Sequence, residues 1–433
     1  MHLSTYLKLY PCADQPGRSL LYSTKRSSLI VIPDALLQAA RDNTLAGPDR
    51  DTLVRLGFLV PDPVAERLEM RDIFVNANKR RRLFNATVVL NLDCNLACSY
   101  CYEDNFRGNF YMSADTADLF VDTVTRERIE NGHDVKISFY GGEPLLSIDL
   151  IKDISARLGA AAREKGTKFS FSLVSNGTLL TRSVVEELIP FGFTGAKVTL
   201  DGPRETHDVS RPFVSGSGSF DAIVDNLAQI AGMITLHLGG NFTRDNYRSF
   251  PPLLDELLAK GISPDKVARV LFVPVVQKSG EKAASDFNGN CACSYEPWLI
   301  EASAYLREET LKRGFSAPKM KMSACSVEYE SDVVVNYNGD LYKCPAFMSN
   351  DSLRIGTLRD GIEDYRASHN IDVWKKEECL DCAYLPICFG GCRQMTLLRT
   401  DAIEDVDCRK EYYDLSLEKI IRQDLKYQAT KKG

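Results

Sequence analysis

From residue 86 to residue 277 the chain alternates short apolar runs with stretches whose apolar positions recur every three or four residues. The apolar runs predict strands at 86–92, 136–140, 169–175, 196–200, 234–240 and 267–276. Each is short, rich in β-branched and aromatic residues, and bounded by polar or glycine-containing segments. Between them, Ser113 to Ile129, Leu150 to Ala162 and Phe250 to Ala259 carry helical periodicity. Six strand–helix units in succession predict an α/β fold with a parallel sheet and helices outside it, either an open sheet or a partial (β/α)6 barrel. Both arrangements gather their loops at one mouth, beyond the C-terminal ends of the strands.

The flanks read differently. Residues 1 to about 82 form a small N-terminal module, with an alternating segment from Leu29 to Ile32, a helical stretch from Asp34 to Ala40, and Leu53 to Val60 closing at Pro61. After the barrel-like region (83–277), residues 278–295 are rich in Gly, Ser, Lys and Asn and read as a long loop, followed by a helix near Trp298 to Arg313. Residues 278–324 are thus a connection, and 325–433 a cysteine-dense domain closed by a helix from Glu411 to Leu425. Within it, Asn338 and Gly339 between the apolar halves of Val333 to Tyr342 signal a hairpin.

Composition narrows the function classes. The 433 residues carry 53 Lys and Arg against 59 Asp and Glu, a formal net charge of −6, which gives no reason to expect nucleic-acid binding. The basic run Lys79 to Arg82 reads as a solvated linker face. No stretch reaches the roughly 18 apolar residues of a membrane span, and no hydrophobic signal core opens the chain, so a cytoplasmic location is expected. There the 13 cysteines stay reduced, and clusters of them read as metal sites before disulfides.

The sharpest cluster follows the first strand. Cys94, Cys98 and Cys101 stand at a CxxxCxxC spacing in the loop where such folds place their chemistry. Thiolates are soft ligands for zinc, copper(I) or iron–sulfur clusters, and a cluster normally takes four, so three leave one metal corner open. Gly141, Gly142 and Glu143 end the second strand, where glycines permit close backbone approach and a carboxylate can accept from an ammonium group. Ser175 and Asn176 end the third strand with groups suited to a ribose or carboxylate. Asp201, Gly202 and Pro203 end the fourth, and Arg211 follows with a fork that fits a carboxylate. His207 beside Asp208 lies in the same loop; His2, His133, His237 and His369 read as surface or structural, and Cys12 as an unligated thiol.

Over about residues 85–277 the sequence resembles the radical S-adenosylmethionine (SAM) enzymes, whose pattern Cx3CxΦC places an aromatic, here Tyr100, before the third cysteine. The resemblance implies a [4Fe–4S] cluster on Cys94, Cys98 and Cys101, with the amino and carboxylate groups of SAM on the fourth iron. It implies contacts from Gly141, Gly142 and Glu143 to the methionine amino group, from Ser175 and Asn176 to ribose or carboxylate, and from Arg211 to the carboxylate. It implies reductive cleavage of the sulfonium to a 5′-deoxyadenosyl radical that abstracts hydrogen from substrate.

The distal cysteines resemble the SPASM extension of radical SAM enzymes that modify peptides and proteins. By that resemblance Cys379, Cys382, Cys388 and Cys408 hold an outer auxiliary [4Fe–4S] cluster, and Cys325, Cys344 and Cys392 an inner one. The pattern's further cysteine, a few residues before the first, is missing near Lys319, so Cys291 or Cys293 supplies the fourth ligand or an iron stays open. The layout, including the N-terminal module, resembles maturases of ribosomally made peptides, of the geopeptide type. The implied partners are a precursor peptide carrying a leader and an external electron donor such as a flavodoxin or ferredoxin. The implied modification is a crosslink, thioether, epimerisation or oxidation. A second enzyme reading is an anaerobic sulfatase-maturating enzyme, which makes formylglycine; a third reading, of another class, is a non-catalytic iron–sulfur or zinc protein.

Overall fold

The computed structural model describes all residues except 13, 102, 105, 276–295, 401 and 430–433. The predicted loop at 278–295, with Cys291 and Cys293, lies outside the described residues. Two compact units account for the chain: residues 81–318 with 330–368, and residues 1–80 with 319–329 and 369–433. Among the described residues no helix is long and apolar enough to cross a membrane.

The larger unit is built on six parallel strands, β1 (Leu83–Asn91), β2 (Asp134–Gly141), β3 (Phe169–Ser175), β4 (Phe193–Thr199), β5 (Thr235–Phe242) and β6 (Val267–Pro274). Each pairs with the next in sequence. That single direction of winding is the order of a partial (β/α)6 barrel, without the reversal of a doubly wound sheet. β7 (Asp332–Val335) then pairs parallel to β1, and β8 (Asp340–Tyr342), β9 (Gly356–Thr357) and β10 (Gly361–Ile362) extend the sheet antiparallel to ten strands. The β7–β8 turn is the hairpin predicted from Asn338 and Gly339; Gly339 stands at φ +89°, a conformation that costs other residues.

Strand alternation sorts the two faces. Ile137 and Phe139, Phe171 and Leu173, Ala196 and Val198, and Leu236 and Leu238 point one way and are buried in one core with the helices. The helices that cover this face include Ala114–Val124, Ile148–Lys165, Arg182–Leu188, Phe220–Ile230 and Pro251–Ala259. Residues of the opposite parity, among them Lys136, Ser138, Ser172, Lys197, Thr199 and His237, are exposed or half-buried. Burying apolar side chains at about 25 cal/mol per Å² holds the helices to the first face; the second mixes polar residues with a few apolar ones such as Val174, Leu271 and Val273.

In the smaller unit, Leu7–Pro11, Arg18–Ser23 and Ser28–Pro33 form an antiparallel sheet followed by short helices. These first 80 residues share cores with the C-terminal cysteine segment. Phe74 meets Tyr329, Trp374 and Phe389 edge-on at 5.3, 5.6 and 4.8 Å between ring centroids. The Tyr6 hydroxyl donates to the Leu380 carbonyl at 3.0 Å, and that of Thr24 to the Ala383 carbonyl at 2.6 Å.

Arg393, the residue after Cys392, is fully buried and donates to Glu328 Oε1 at 2.6 Å. Breaking such a pair strands a charge at a cost of about 3–5 kcal/mol, whereas replacing both partners by apolar groups restores most of it. Chemical unfolding is therefore expected to show a loss of that size in Arg393→Met and recovery in Glu328→Leu/Arg393→Met; a single variant as stable as the wild type would contradict the pair's role.

Candidate active site

The ends of β1, β2 and β3 are drawn together by glycines and one carboxylate. A Cβ on Gly141 would sit 2.2 Å from the Asn91 carbonyl oxygen, and one on Gly142 would sit 2.1 Å from that of Asp93. Both are closer than any side chain tolerates, so the two glycines are required by the chain's own packing. Gly142 N–H donates to the Asn91 carbonyl at 3.2 Å and Glu143 N–H to the Asp93 carbonyl at 2.8 Å, fixing the backbone on which Cys94 begins its loop.

Glu143 is fully buried. Its carboxylate accepts from Leu145 N–H and Ser175 Oγ at 3.0 Å each, and from Asn176 N–H at 2.8 Å. Burial pushes its pKa up to about 7, against the pull of these donors. Asn176 continues the chain of contacts: its amide donates to Asn95 Oδ1 at 2.8 Å and to Cys94 Sγ at 3.7 Å, while its Oδ1 accepts from Thr178 N–H at 2.9 Å. The side chains of Glu143, Ser175 and Asn176 thus hydrogen-bond within the protein, tying β2 and β3 to the cysteine loop.

That loop is also held from the other side. Ala97 N–H donates to the Pro212 carbonyl at 2.8 Å, Ser99 N–H to that of Ser210 at 3.1 Å, and Val214 N–H to that of Asn95 at 3.0 Å. Tyr100 is the hub: its hydroxyl donates to Asp201, and accepts from Arg211 NH1 at 2.7 Å and Asn241 Nδ2 at 3.0 Å. Asn241 N–H also donates to Asp201 Oδ1 at 2.7 Å. Burial disfavours charge on Arg211, but Tyr100, Cys98 and Asp201 outweigh it and hold the guanidinium protonated. Its Nε is buried without a protein partner.

His207 carries no exposed chemistry. Its Nδ1 accepts from Asp201 N–H at 3.2 Å, so Nε2 carries the proton toward Ser219 Oγ at 3.0 Å, and burial lowers its pKa to about 3. Asp208 accepts from Phe220 N–H at 2.9 Å at a helix start.

The three thiols suit soft-metal ligation. All are partly buried, and burial raises each; Cys94 is pushed up to about 11, with Cys98 contributing to the rise in both Cys94 and Cys101. Arg211 favours the thiolate at Cys98, and Arg107 favours it at Cys98 and Cys101. The donor set therefore offers three thiols, two of them with cationic support, plus the free Nε of Arg211, which fits a cluster and a carboxylate-bearing ligand. Among the described residues no three His, Cys, Asp or Glu side chains lie close enough to share a single metal ion.

In the smaller unit, Cys379, Cys382, Cys388 and Cys408 interact electrostatically: after burial, Cys388, Cys382 and Cys408 each raise Cys379, which reaches about 11. Cys392 is raised by burial and then by Cys325. Phe389, Gly390 and Gly391 all take positive φ between Cys388 and Cys392, and a Cβ on Gly391 would meet the Asp407 carbonyl oxygen at 2.2 Å. Cys344 belongs to the larger unit, in the turn after β8, and Cys12 lies in a turn of the N-terminal sheet. Asn95, Thr178 and Asn241 are site residues that the sequence reading misses. Asn241 had a signal, a polar residue at a strand's C-terminal end after Gly239 and Gly240.

Glu143 yields a pH prediction. Folded, it keeps its proton to about pH 7; unfolded, to about 4.5. The folded state binds more protons between these values, so the contribution is complete below pH 4.5 and lost as the pH rises through 7, at about 1.4 kcal/mol per pH unit. Glu143→Gln removes it. The stability of the metal-free wild type is expected to fall relative to the variant across that window; a constant difference between them would contradict the assignment.

Comparison with known proteins places this geometry. Residues 88–255 match the model of the radical SAM superfamily. The chain is 25% identical over 357 residues to a cysteine-type anaerobic sulfatase-maturating enzyme of Clostridium perfringens, a match covering 74% of this chain and 90% of that enzyme. Among solved structures, anSMEcpe with bound AdoMet and the Cp18Cys peptide superimposes with a TM-score of 0.60 at 20% identity, covering 79% of this chain and 97% of that one. Streptococcus suis SuiB bound to its precursor peptide SuiA superimposes with a TM-score of 0.50 at 13% identity, covering 94% and 98%. The superfamily's cofactors are SAM and a [4Fe–4S] cluster, and residues 88–255 of this chain are a radical SAM domain.

Proposed function

We propose that the chain is a maturase that modifies a ribosomally made peptide. The observation that carries this reading is coverage. The sulfatase-maturase fold accounts for 79% of the chain, leaving about a fifth unmatched, whereas the SuiB fold accounts for 94%. The added part is similar in extent to the first 80 residues, which form one unit with the C-terminal cysteines. A leader-binding role for that unit follows from the same reading, as does a substrate peptide at the mouth of the larger one.

In this reading Cys94, Cys98 and Cys101 hold the [4Fe–4S] cluster. Arg211 Nε would hold the SAM carboxylate, and the main chain at Gly141 and Gly142, rather than the occupied Glu143 carboxylate, would hold the amino group. Bound there, the pair supplies a 5′-deoxyadenosyl radical able to abstract hydrogen. The protein's own part is positional: the Tyr100 hub holds Arg211 beside Cys98, and Glu143 holds the loop that carries Cys94. Cys379, Cys382, Cys388 and Cys408 would hold one auxiliary cluster, and Cys325 and Cys392 would contribute to a second. An external reductant such as a flavodoxin or ferredoxin supplies the electron, in a reducing cytoplasm.

The match over 90% of a sulfatase-maturating enzyme supports a second reading, oxidation of a cysteine or serine to formylglycine. Mass spectrometry separates the two: a sulfatase peptide converted to formylglycine favours the second, and a crosslink, thioether or epimer in a precursor peptide encoded beside the gene favours the first. For either, Cys94→Ala/Cys98→Ala/Cys101→Ala is expected to abolish 5′-deoxyadenosine formation under reduction while the reconstituted protein retains auxiliary iron. Retained SAM cleavage, or zinc in place of iron in the wild type, would contradict the enzyme reading.

A further inference from the structure

The sheet face turned away from the helices carries a row of basic side chains, three of them cations. Lys197 on β4, His237 on β5 and Arg269 on β6 are register neighbours across adjacent strands, and Lys136 on β2 shares their face. Lys136, Lys197 and Arg269 are exposed and His237 is half-buried.

Among the described residues none of the three cations forms a hydrogen bond or an ion pair. Several other cations of this unit are paired, Lys152 with Asp149 and Glu187, Arg157 with Asp118 and Asp153, and Arg313 with Asp255 and Glu309. Asp134, on the strand of Lys136, accepts from Lys168 N–H at 2.8 Å, and Asp332, at the start of β7, pairs with Arg81 at 2.7 Å. The row is self-repelling. Burial and Arg269 both disfavour the charge on Lys197, and burial, Arg269, Lys136 and Lys197 keep His237 neutral. The His237 Nδ1 atom is buried without a partner.

Like charges side by side on neighbouring strands destabilise a sheet, and a concave face of one sign concentrates ligands of the other. The row also has a defined position. His237 precedes Asn241, a member of the Tyr100 hub, by four residues on the same strand, roughly 13 Å at about 3.3 Å per residue. An extended peptide covers that distance in about four residues.

We infer that Lys136, Lys197 and Arg269 bind carboxylates of the substrate, so that the substrate is a peptide with Asp or Glu about four residues from the reacting position. This rests on the maturase reading and adds to it a substrate chemistry. The test uses the full-length reconstituted protein and labelled hexaglutamate and hexaglutamine peptides, with binding followed by fluorescence anisotropy. Hexaglutamate is expected to bind at least tenfold more tightly at low salt. The preference is expected to fade at high salt, to fall severalfold in Arg269→Glu, and to vanish in Lys136→Gln/Lys197→Gln/Arg269→Gln. Cleavage of SAM without peptide, measured on the same samples, is expected to persist in both variants and reports that they remain folded. Equal binding of the two peptides overturns the inference. So does a preference that survives in the triple variant, which would place it at another basic surface such as Lys79 to Arg82. Absence of SAM cleavage in a wild type that still prefers hexaglutamate counts against the enzyme reading and leaves the row's role standing.

Discussion

The larger unit depends on one buried carboxylate and the glycines that precede it. Glu143 is removed from water and accepts hydrogen bonds from the start of its own loop and from the end of the neighbouring strand. A Cβ on Gly142 would lie 2.1 Å from the Asp93 carbonyl oxygen, so no side chain fits there. Between them they hold the ends of three strands at fixed distances, and the cysteine loop starts from the first of these ends. A buried acid is costly unless its acceptor capacity is filled. Here the filling groups are the backbone and side chains that must be positioned, so the cost of burial becomes a constraint on geometry.

A second constraint acts from the opposite side of the loop. Tyr100 sits inside the cysteine motif, yet its hydroxyl reaches Asp201, Arg211 and Asn241, which belong to the ends of two other strands and the loop after one of them. An aromatic at this position does more than pack, because it keeps a guanidinium beside Cys98 and leaves one donor of that guanidinium free. The cysteine loop is thereby clamped between a carboxylate that is neutral below about pH 7 and a network that carries permanent charge.

Most of this architecture is legible in the sequence. The period-two and helical patterns fix six strand–helix units because burial on one face rewards them, and the observed strands lie within a few residues of the expected ones. The Cx3CxΦC spacing singles out the cysteine loop because few other needs produce it, whereas the Gly141–Glu143 turn draws notice only beside it. What the sequence hides is direction. Glu143, Ser175 and Asn176 read as ligand contacts because their types suit ligands, and the structure shows what the sequence does not, that their side chains also hydrogen-bond within the protein. Asn95, Thr178 and Asn241 escape notice since an isolated amide or hydroxyl has no pattern until strand ends are brought together. The shared core of the first 80 residues and the last 65 is invisible for the same reason: Phe74 and Trp374 are 300 positions apart and meet only in the fold.

The central claim is that Cys94, Cys98 and Cys101 leave a coordination position that SAM takes. Electron paramagnetic resonance of the reduced, reconstituted protein tests it directly, with and without SAM, in the wild type and in a variant lacking Cys379, Cys382, Cys388 and Cys408. The account predicts that SAM alters a cluster signal present in both proteins. A spectrum unchanged by SAM in both would contradict it.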